Sequence, residues 1–292
     1  FMFQDCSALT SLDVSKFETG NVRNMTGMFM GCSALKILDV SNFDTKNTED
    51  MTTMFQFVSG VTILNVEKFN TKKVKSMTGM FQYCRSLKTL DVSNFDTSSV
   101  TDMSSMFEET LISNLNVGKF DTSKVTNMKS MFAYDKLLTS LDVSKFNTSL
   151  VTDMSYMFLE CTDLASLDLS NFDTSNVKQM EYMLSKIYAK KIDVSNFNTK
   201  KVTNMMCMFT DSYFKELNLK NFDTSSVTDM YEMFAGCNNL ESLDLSNFNT
   251  KNVRDMGAMF KGCTNLVDLN IKSFDTSNVI DMYNMFTSCR SI

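Results

Sequence analysis

Residues 94–107 read NFDTSSVTDMSSMF, and residues 221–234 read NFDTSSVTDMYEMF. Close variants of this sentence recur along the whole chain, so the first question is its period. Aligning on the Phe of the FDT or FNT triplet gives Phe17, Phe43, Phe69, Phe95, Phe120, Phe146, Phe172, Phe197, Phe222, Phe248 and Phe274. The spacing is 26 residues and falls to 25 three times. The unit is C-x-x-L-x-x-L-D-V-S-x-F-D-T-S-x-V-T-D-M-x-x-M-F. A period in the twenties with this apolar pattern specifies a solenoid, because one unit cannot bury its apolar side alone and a stack of units can.

Each unit carries two local periodicities. In SLDVS, residues 140–144, Leu141 and Val143 alternate with Ser140, Asp142 and Ser144. That pattern predicts a short strand with one buried face. A turn rich in Asp, Asn, Thr and Ser follows, residue types that bond their own backbone. Val151, Met154, Met157 and Phe158 then recur at i, i+3, i+6 and i+7, which predicts a short helix or a mixed α/3₁₀ turn. The expected fold is an α/β repeat solenoid of about 11–12 coils, each a short parallel strand plus a short helical segment. Its core is then a set of vertical ladders, Leu over Leu, Phe over Phe and Met over Met. Methionine is unbranched and suits the gaps between imperfectly regular coils. The one-residue deletions fall in EETLISNL, SKIYAKKI and TDSYFKEL, between the MF pair and the next strand. That marks a connecting segment where length change is tolerated.

Residues 1–292 read as a single repeat solenoid. Both ends fall mid-unit and lack a polar capping segment, so the chain reads as a window of a longer polypeptide. The composition has no Pro, Trp or His, and 25 each of Met and Phe. Absence of His removes the commonest general base and metal ligand. No Ser/His/Asp or Cys/His arrangement exists, and no carboxylate pair stands apart from the repeat, so no catalytic residue, cofactor or metal site is expected. The net charge of −6, with both signs interspersed, argues against a nucleic-acid surface. No apolar run reaches the roughly 20 residues of a membrane span. Two sequons, at Asn24 and Asn147, carry little weight.

Seven of the eight Cys share one repeat position: Cys6, Cys32, Cys84, Cys161, Cys237, Cys263 and Cys289. Cys84 and Cys161 have no cysteine neighbour one coil away, where Val58, Thr110, Asp135 and Ile187 stand instead. The column therefore reads as buried free thiols rather than disulfides, and no C-x-x-C occurs.

The full unit LDVSNFDTSSVTDMSSMF resembles the 26-residue repeat of bacterial surface proteins and mycoplasma lipoproteins, relatives of the BspA-type leucine-rich repeats. Leu9, Leu12, Val14 and Phe17 match the strand segment of a leucine-rich repeat, and the resemblance covers essentially the whole chain. It implies a surface-exposed, secreted or anchored solenoid, associated with adhesion or host contact, with no catalytic residues to carry over. Ordinary leucine-rich repeats place a turn-capping Asn where this chain has Phe17 and its equivalents. A Phe spine is therefore expected in place of an Asn ladder.

Candidate binding residues lie on the strand face. The residue between the two inward positions is always Asp or Asn, and Asp91, Asp142, Asp168 and Asp193 belong to this column. The column reads as a solvated ladder of mutually repelling groups, or as a patch for a hard cation or basic partner. A second acidic column, with Asp96, Asp102, Asp223 and Asp229, reads as helix capping. Ile37 and Ile63, with Phe57 and Val61, place apolar residues where polar ones are usual. So does the region from Ile187 to Lys191, with Tyr213 and Phe214 one coil on. The expected role is a cell-surface domain that binds a protein or cell-surface ligand. The alternatives are a spacer, stalk or lattice element that self-associates end to end or laterally, and an intracellular scaffold.

Overall fold

The computed structural model describes residues 1–189 and 192–292. They form a solenoid of stacked coils, and one continuous core cluster runs from Val14 to Met285. The Met and Phe ladders expected from the repeat are present. Met51, Met77, Met103, Met128, Met154, Met180 and Met205 are all fully buried. The MF phenylalanines form a stack in which Phe29, Phe55, Phe81, Phe107, Phe132 and Phe158 follow one another at 5.8 Å between centroids, nearly parallel. The phenylalanines of the FDT triplet lean against that stack, as Phe95 does on Phe81 at 6.5 Å and 32°. Leu184 interrupts the ring column without opening it to solvent. Parallel stacked rings bury large apolar area and add a geometric preference to it.

The helical segment is corrected: among the described residues there is no helix. The M-x-x-M-F-x-x-C stretch is a run of overlapping turns. In the run from Met25 to Cys32, the N–H of Met28, Met30 and Cys32 donates to the carbonyl three residues back, of Met25, Gly27 and Phe29, at 3.1–3.2 Å. The alternate amides leave the coil. Met25, Gly27, Phe29 and Gly31 donate to the carbonyls of Asp50, Thr52, Met54 and Gln56 in the next coil, at 2.8–2.9 Å. A helix would turn all these groups inward on itself. Eight residues rich in Thr, Ser and Gly are too short and too poor in propensity to hold one. The turn run buries the same positions as a helix would, and ties coil to coil through the backbone.

This geometry needs two residues per coil with φ between 51° and 75°. Glycine stands there at Gly27, Gly31, Gly79, Gly236 and Gly262, which have no Cβ penalty. Elsewhere the positions hold residues such as Ser105, Glu109, Tyr156 and Glu232, each under left-handed strain. Ser105→Gly should therefore raise stability by about 0.5–1 kcal/mol, because the strain removed outweighs the chain entropy added. Thermal melting monitored by circular dichroism checks this, and a lower melting temperature would show that Ser105 is not strained.

The strand segment is also less regular than expected. Among the described residues only β1 (Ser242–Asp244) and β2 (Asp268–Asn270) pair as true strands, in parallel, with Leu243 opposite Leu269. Other coils contribute isolated parallel bridges here, such as Ser11 to Ile37 and Ile63 to Thr89. The unbroken bridge ladder lies at the residue before the first Met. It runs Asn24, Asp50, Ser76, Asp102, Asn127, Asp153, Gln179, Asn204, Asp229, Asp255, Asp281. There the preceding residues donate backwards, Lys75 to the Glu49 carbonyl and Thr101 to the Lys75 carbonyl at 2.9 Å.

A threonine ladder supplements the backbone. Thr45, Thr71, Thr97, Thr122 and Thr148 are buried. Each hydroxyl donates to the next coil, as Thr97 Oγ1 does to the Asp121 carbonyl at 3.0 Å and Thr122 Oγ1 to that of Asn147 at 2.9 Å. Several accept in return, the Asn147 N–H donating to Thr122 Oγ1 at 2.7 Å. This ladder satisfies backbone groups at the turn, as an Asn ladder would, beside the Phe spine.

Candidate binding faces

The cysteines sit as free thiols, with Cys6 exposed, Cys289 half-buried and the others buried. Their column has a function in packing that the sequence did not reveal. Sγ of Cys32, Cys84, Cys161, Cys237, Cys263 and Cys289 donates to the carbonyl of the MF phenylalanine in the preceding coil, at 2.9–3.1 Å. Ser212 does the same to Leu184 at 2.6 Å. Burial pushes the Cys84 thiol up to about 12, so it stays protonated and unreactive. Asp135 is the one acidic residue in this column. It is buried, its Oδ1 accepts from Thr110 N–H, Thr110 Oγ1 and Leu111 N–H, and its Oδ2 has no partner. Burial raises its pKa well above the ordinary 3.8.

The acidic columns are organised by local bonds. On the strand face, the Asp91, Asp142, Asp168 and Asp193 carboxylates each accept the backbone N–H two residues on, at 2.9–3.0 Å. Ser144 Oγ adds a bond to Asp142 at 2.6 Å. The Ser93 and Ser144 hydroxyls, then their N–H groups, hold the Asp91 and Asp142 carboxyls below the ordinary value. For Asp168 the Ser170 N–H is the larger cause, and repulsion from Asp142 is the weakest influence. The column is thus stabilised as carboxylates by turn bonds, and mutual repulsion is secondary. Among the described residues, no three His, Cys, Asp or Glu side chains converge as a metal site.

The second column is corrected with the helix. Asp102 and Asp229 do not cap helices: they accept from the N–H of Ser104 and Tyr231, at 2.8 and 2.9 Å, and so open the turn run. Asp96 and Asp223 do likewise with Ser98 and Ser225, at 3.0 Å.

The apolar departures do not form one cluster. Ile37 and Ile63 lie side by side on the strand face, 74% and 67% exposed. They rim a hollow of about 300 Å³ with Asp39 and Asn65. Val61 is in the core, and Phe57 lies on the turn run, stacked on Tyr83 at 4.5 Å. In the second region Ile187, Ala189 and Phe214 are buried, while Tyr188 and Tyr213 are half-exposed. Residues 190 and 191 of that region lie outside the described residues. Among the described residues no helix is long and apolar enough to cross a membrane.

One family model tiles this repeat across residues 1–114, 57–140, 111–216 and 187–292. Its description is "Mycoplasma protein of unknown function, DUF285". The chain belongs to that family. DUF285 is thus built, in this member, from coils whose MF turns and FDT threonines interlock through the backbone. A search of curated proteins finds no match. Solved structures similar to this DUF285 chain include a leucine-rich repeat protein from Bacteroides ovatus, at 16% identity over 87% of this chain and 78% of that one, TM-score 0.40. The functional domain of InlJ from Listeria monocytogenes, which includes a cysteine ladder, is 18% identical over 92% of this chain, TM-score 0.41. The DUF285 chain spans 58% of that domain's length. A leucine-rich cell surface protein from Faecalibacterium prausnitzii is 18% identical over 91% of this chain and 74% of that one, TM-score 0.39.

Proposed function

We propose that residues 1–292 act as one non-enzymatic solenoid unit of a cell-surface protein, and that the strand face binds a protein or cell-surface ligand. The observation that carries this reading is the Ile37–Ile63 pair. Two large aliphatic side chains stand exposed, one coil apart, on a frame that buries its other Leu and Val ladders. Interface energy concentrates in a few such anchors surrounded by polar groups. Asp39 and Asn65 supply that rim locally. Asp91, Asp142, Asp168 and Asp193 extend an anionic column along the same face and favour a basic partner.

The test is binding of the purified chain to host-cell surfaces, or to extracted surface proteins, with Ile37→Ser and Ile63→Thr combined. The double variant should lose roughly ten-fold or more in affinity at unchanged melting temperature. Unchanged binding would sink the strand-face reading. A second reading, a spacer whose regularity is the function, draws on the unbroken bridge ladder from Asn24 to Asp281. Under it, neither substitution affects any ligand, and the chain serves as a rigid rod.

A further inference from the structure

The return segment between the turn run and the strand face carries a second site. In full-length coils two residues separate the cysteine position from the next buried apolar residue, as Ser33 and Ala34 do before Leu35, or Asn238 and Asn239 before Leu240. The coils of Ile187 and Ser212, one directly after the other, have a single residue there, Tyr188 before Ala189 and Tyr213 before Phe214. The consequence is a cleft of about 520 Å³ bounded by Lys186, Tyr188, Asp211, Tyr213, Asn238 and Asn239. Ligand clefts span roughly 300–1,000 Å³. A neighbouring hollow of about 330 Å³ shares Tyr213 and Asn239 and continues towards Glu241 and Asn265.

Its chemistry is specific. The Tyr188 and Tyr213 rings are 50% and 52% exposed, with centroids 6.3 Å apart and planes at 62°. Their backbone is fixed, because Tyr213 N–H donates to the Ile187 carbonyl at 3.0 Å and Ser212 anchors to Leu184. At the floor, Gly236 lets the Asp211 carboxylate lie against the backbone, in space that any Cβ there would need. Lys186 is held by Glu160 at 2.5 Å, a carboxylate it shares with Lys136 at 3.0 Å, and Asp211 is the second carboxylate acting on it, so two cations face two anions. What remains is aromatic surface beside one carboxylate and two primary amides.

A neutral pyranose has the complementary chemistry. One C–H face is apolar and covers an aromatic ring, while each hydroxyl both donates and accepts. A carboxylate takes two such donors, and an Asn amide serves both ends of a hydroxyl pair. A peptide would need a free strand edge or a row of apolar pockets. Here the backbone is paired from coil to coil. An anion would need an unmatched cation, and Lys136 and Lys186 are balanced by Glu160 and by Asp211, which itself lines the cleft. We propose that the Tyr188–Tyr213 cleft is a carbohydrate-binding site for a neutral oligosaccharide, separate from the strand face.

The test is saturation-transfer NMR on the full chain with lactose, mannotriose, maltotriose and chitotriose at millimolar concentration. The expected result is saturation of the ring protons of at least one sugar. Its affinity should fall about ten-fold or more in Tyr188→Ala/Tyr213→Ala, with no change in melting temperature. Asn238→Arg, at an exposed position on the cleft wall, should block the same binding. Ile37→Ser/Ile63→Thr should leave it intact, so failure of the strand-face reading and of this one are told apart. Absence of saturation for all four sugars overturns the proposal. So does binding that survives both cleft variants, or a cleft variant that abolishes capture of a protein partner instead.

Discussion

Phe132→Ala is expected to cost about 3–5 kcal/mol and to divide the solenoid into two unfolding units. Phe132 is fully buried, stacked between Phe107 and Phe158 at 5.8 Å on either side. Truncation leaves a cavity that two rigid neighbouring rings cannot fill. In a repeat stack each coil contacts only its neighbours, so cooperativity is carried across one interface at a time. Weakening both interfaces of one coil lets the two flanks unfold separately. Urea titration followed by circular dichroism should show two transitions where the parent shows one. An exposed change in the same coil, Lys129→Ala, should stay within about 0.5 kcal/mol. A single transition with a small loss would show that the ring column does not carry the coupling.

Asp135→Asn is expected to stabilise the chain at neutral pH and to flatten its pH dependence. The Asp135 carboxyl is buried, with one oxygen unpartnered, and burial raises its folded pKa well above 3.8. A raised folded pKa means that the folded state holds a proton that the unfolded chain releases. This contribution is therefore best below the unfolded value and declines as pH rises towards the folded pKa. The slope there approaches about 1.4 kcal/mol per pH unit. Asn keeps the oxygen that accepts from Thr110 and Leu111 and removes the titration. Chemical denaturation from pH 4.5 to 8 should show the parent losing stability and the variant holding it. The strand-face carboxylates act in another window, because their folded pKa values are lowered by Ser bonds. Their stabilisation is lost only as pH falls below about 4. Identical slopes for parent and variant would mean that Asp135 is ionised in the fold.

The two proposed sites use the frame differently. The coil-to-coil bonds at Met25–Gln56 and the Thr97 and Thr122 hydroxyls occupy the backbone. Recognition is then left to side chains that depart from the repeat. Ile37 and Ile63 depart by substitution, whereas Tyr188 and Tyr213 are exposed where two coils are each one residue short.

The sequence alone determined the period, the phase of each coil and the buried set. Leu141, Val143, Met154, Met157 and Phe158 repeat at spacings that only stacking can bury. It also showed that Cys84 and Cys161 lack cysteine neighbours and that Asp135 interrupts their column. It did not separate a helix from a turn run, because Met154, Met157 and Phe158 face inward in either. The deciding groups are amides such as Phe29 N–H, whose partner, Met54, lies one coil away. The positive-φ glycines at Gly27, Gly79 and Gly236 were the local signal for it. Which apolar departures meet was likewise decided by the fold. Ile37 and Ile63 share the strand face, but Val61 falls on the inward side of the return segment and Phe57 on the turn run. The shortened segments SKIYAKKI and TDSYFKEL were legible as deletions. The cleft is a property of the pair, for its lining comes from both short coils, Lys186 and Tyr188 from one and Asp211 and Tyr213 from the other. Periodicity is written within one coil, whereas hydrogen-bond partners and cavities belong to the contact between coils, which only the tertiary structure supplies.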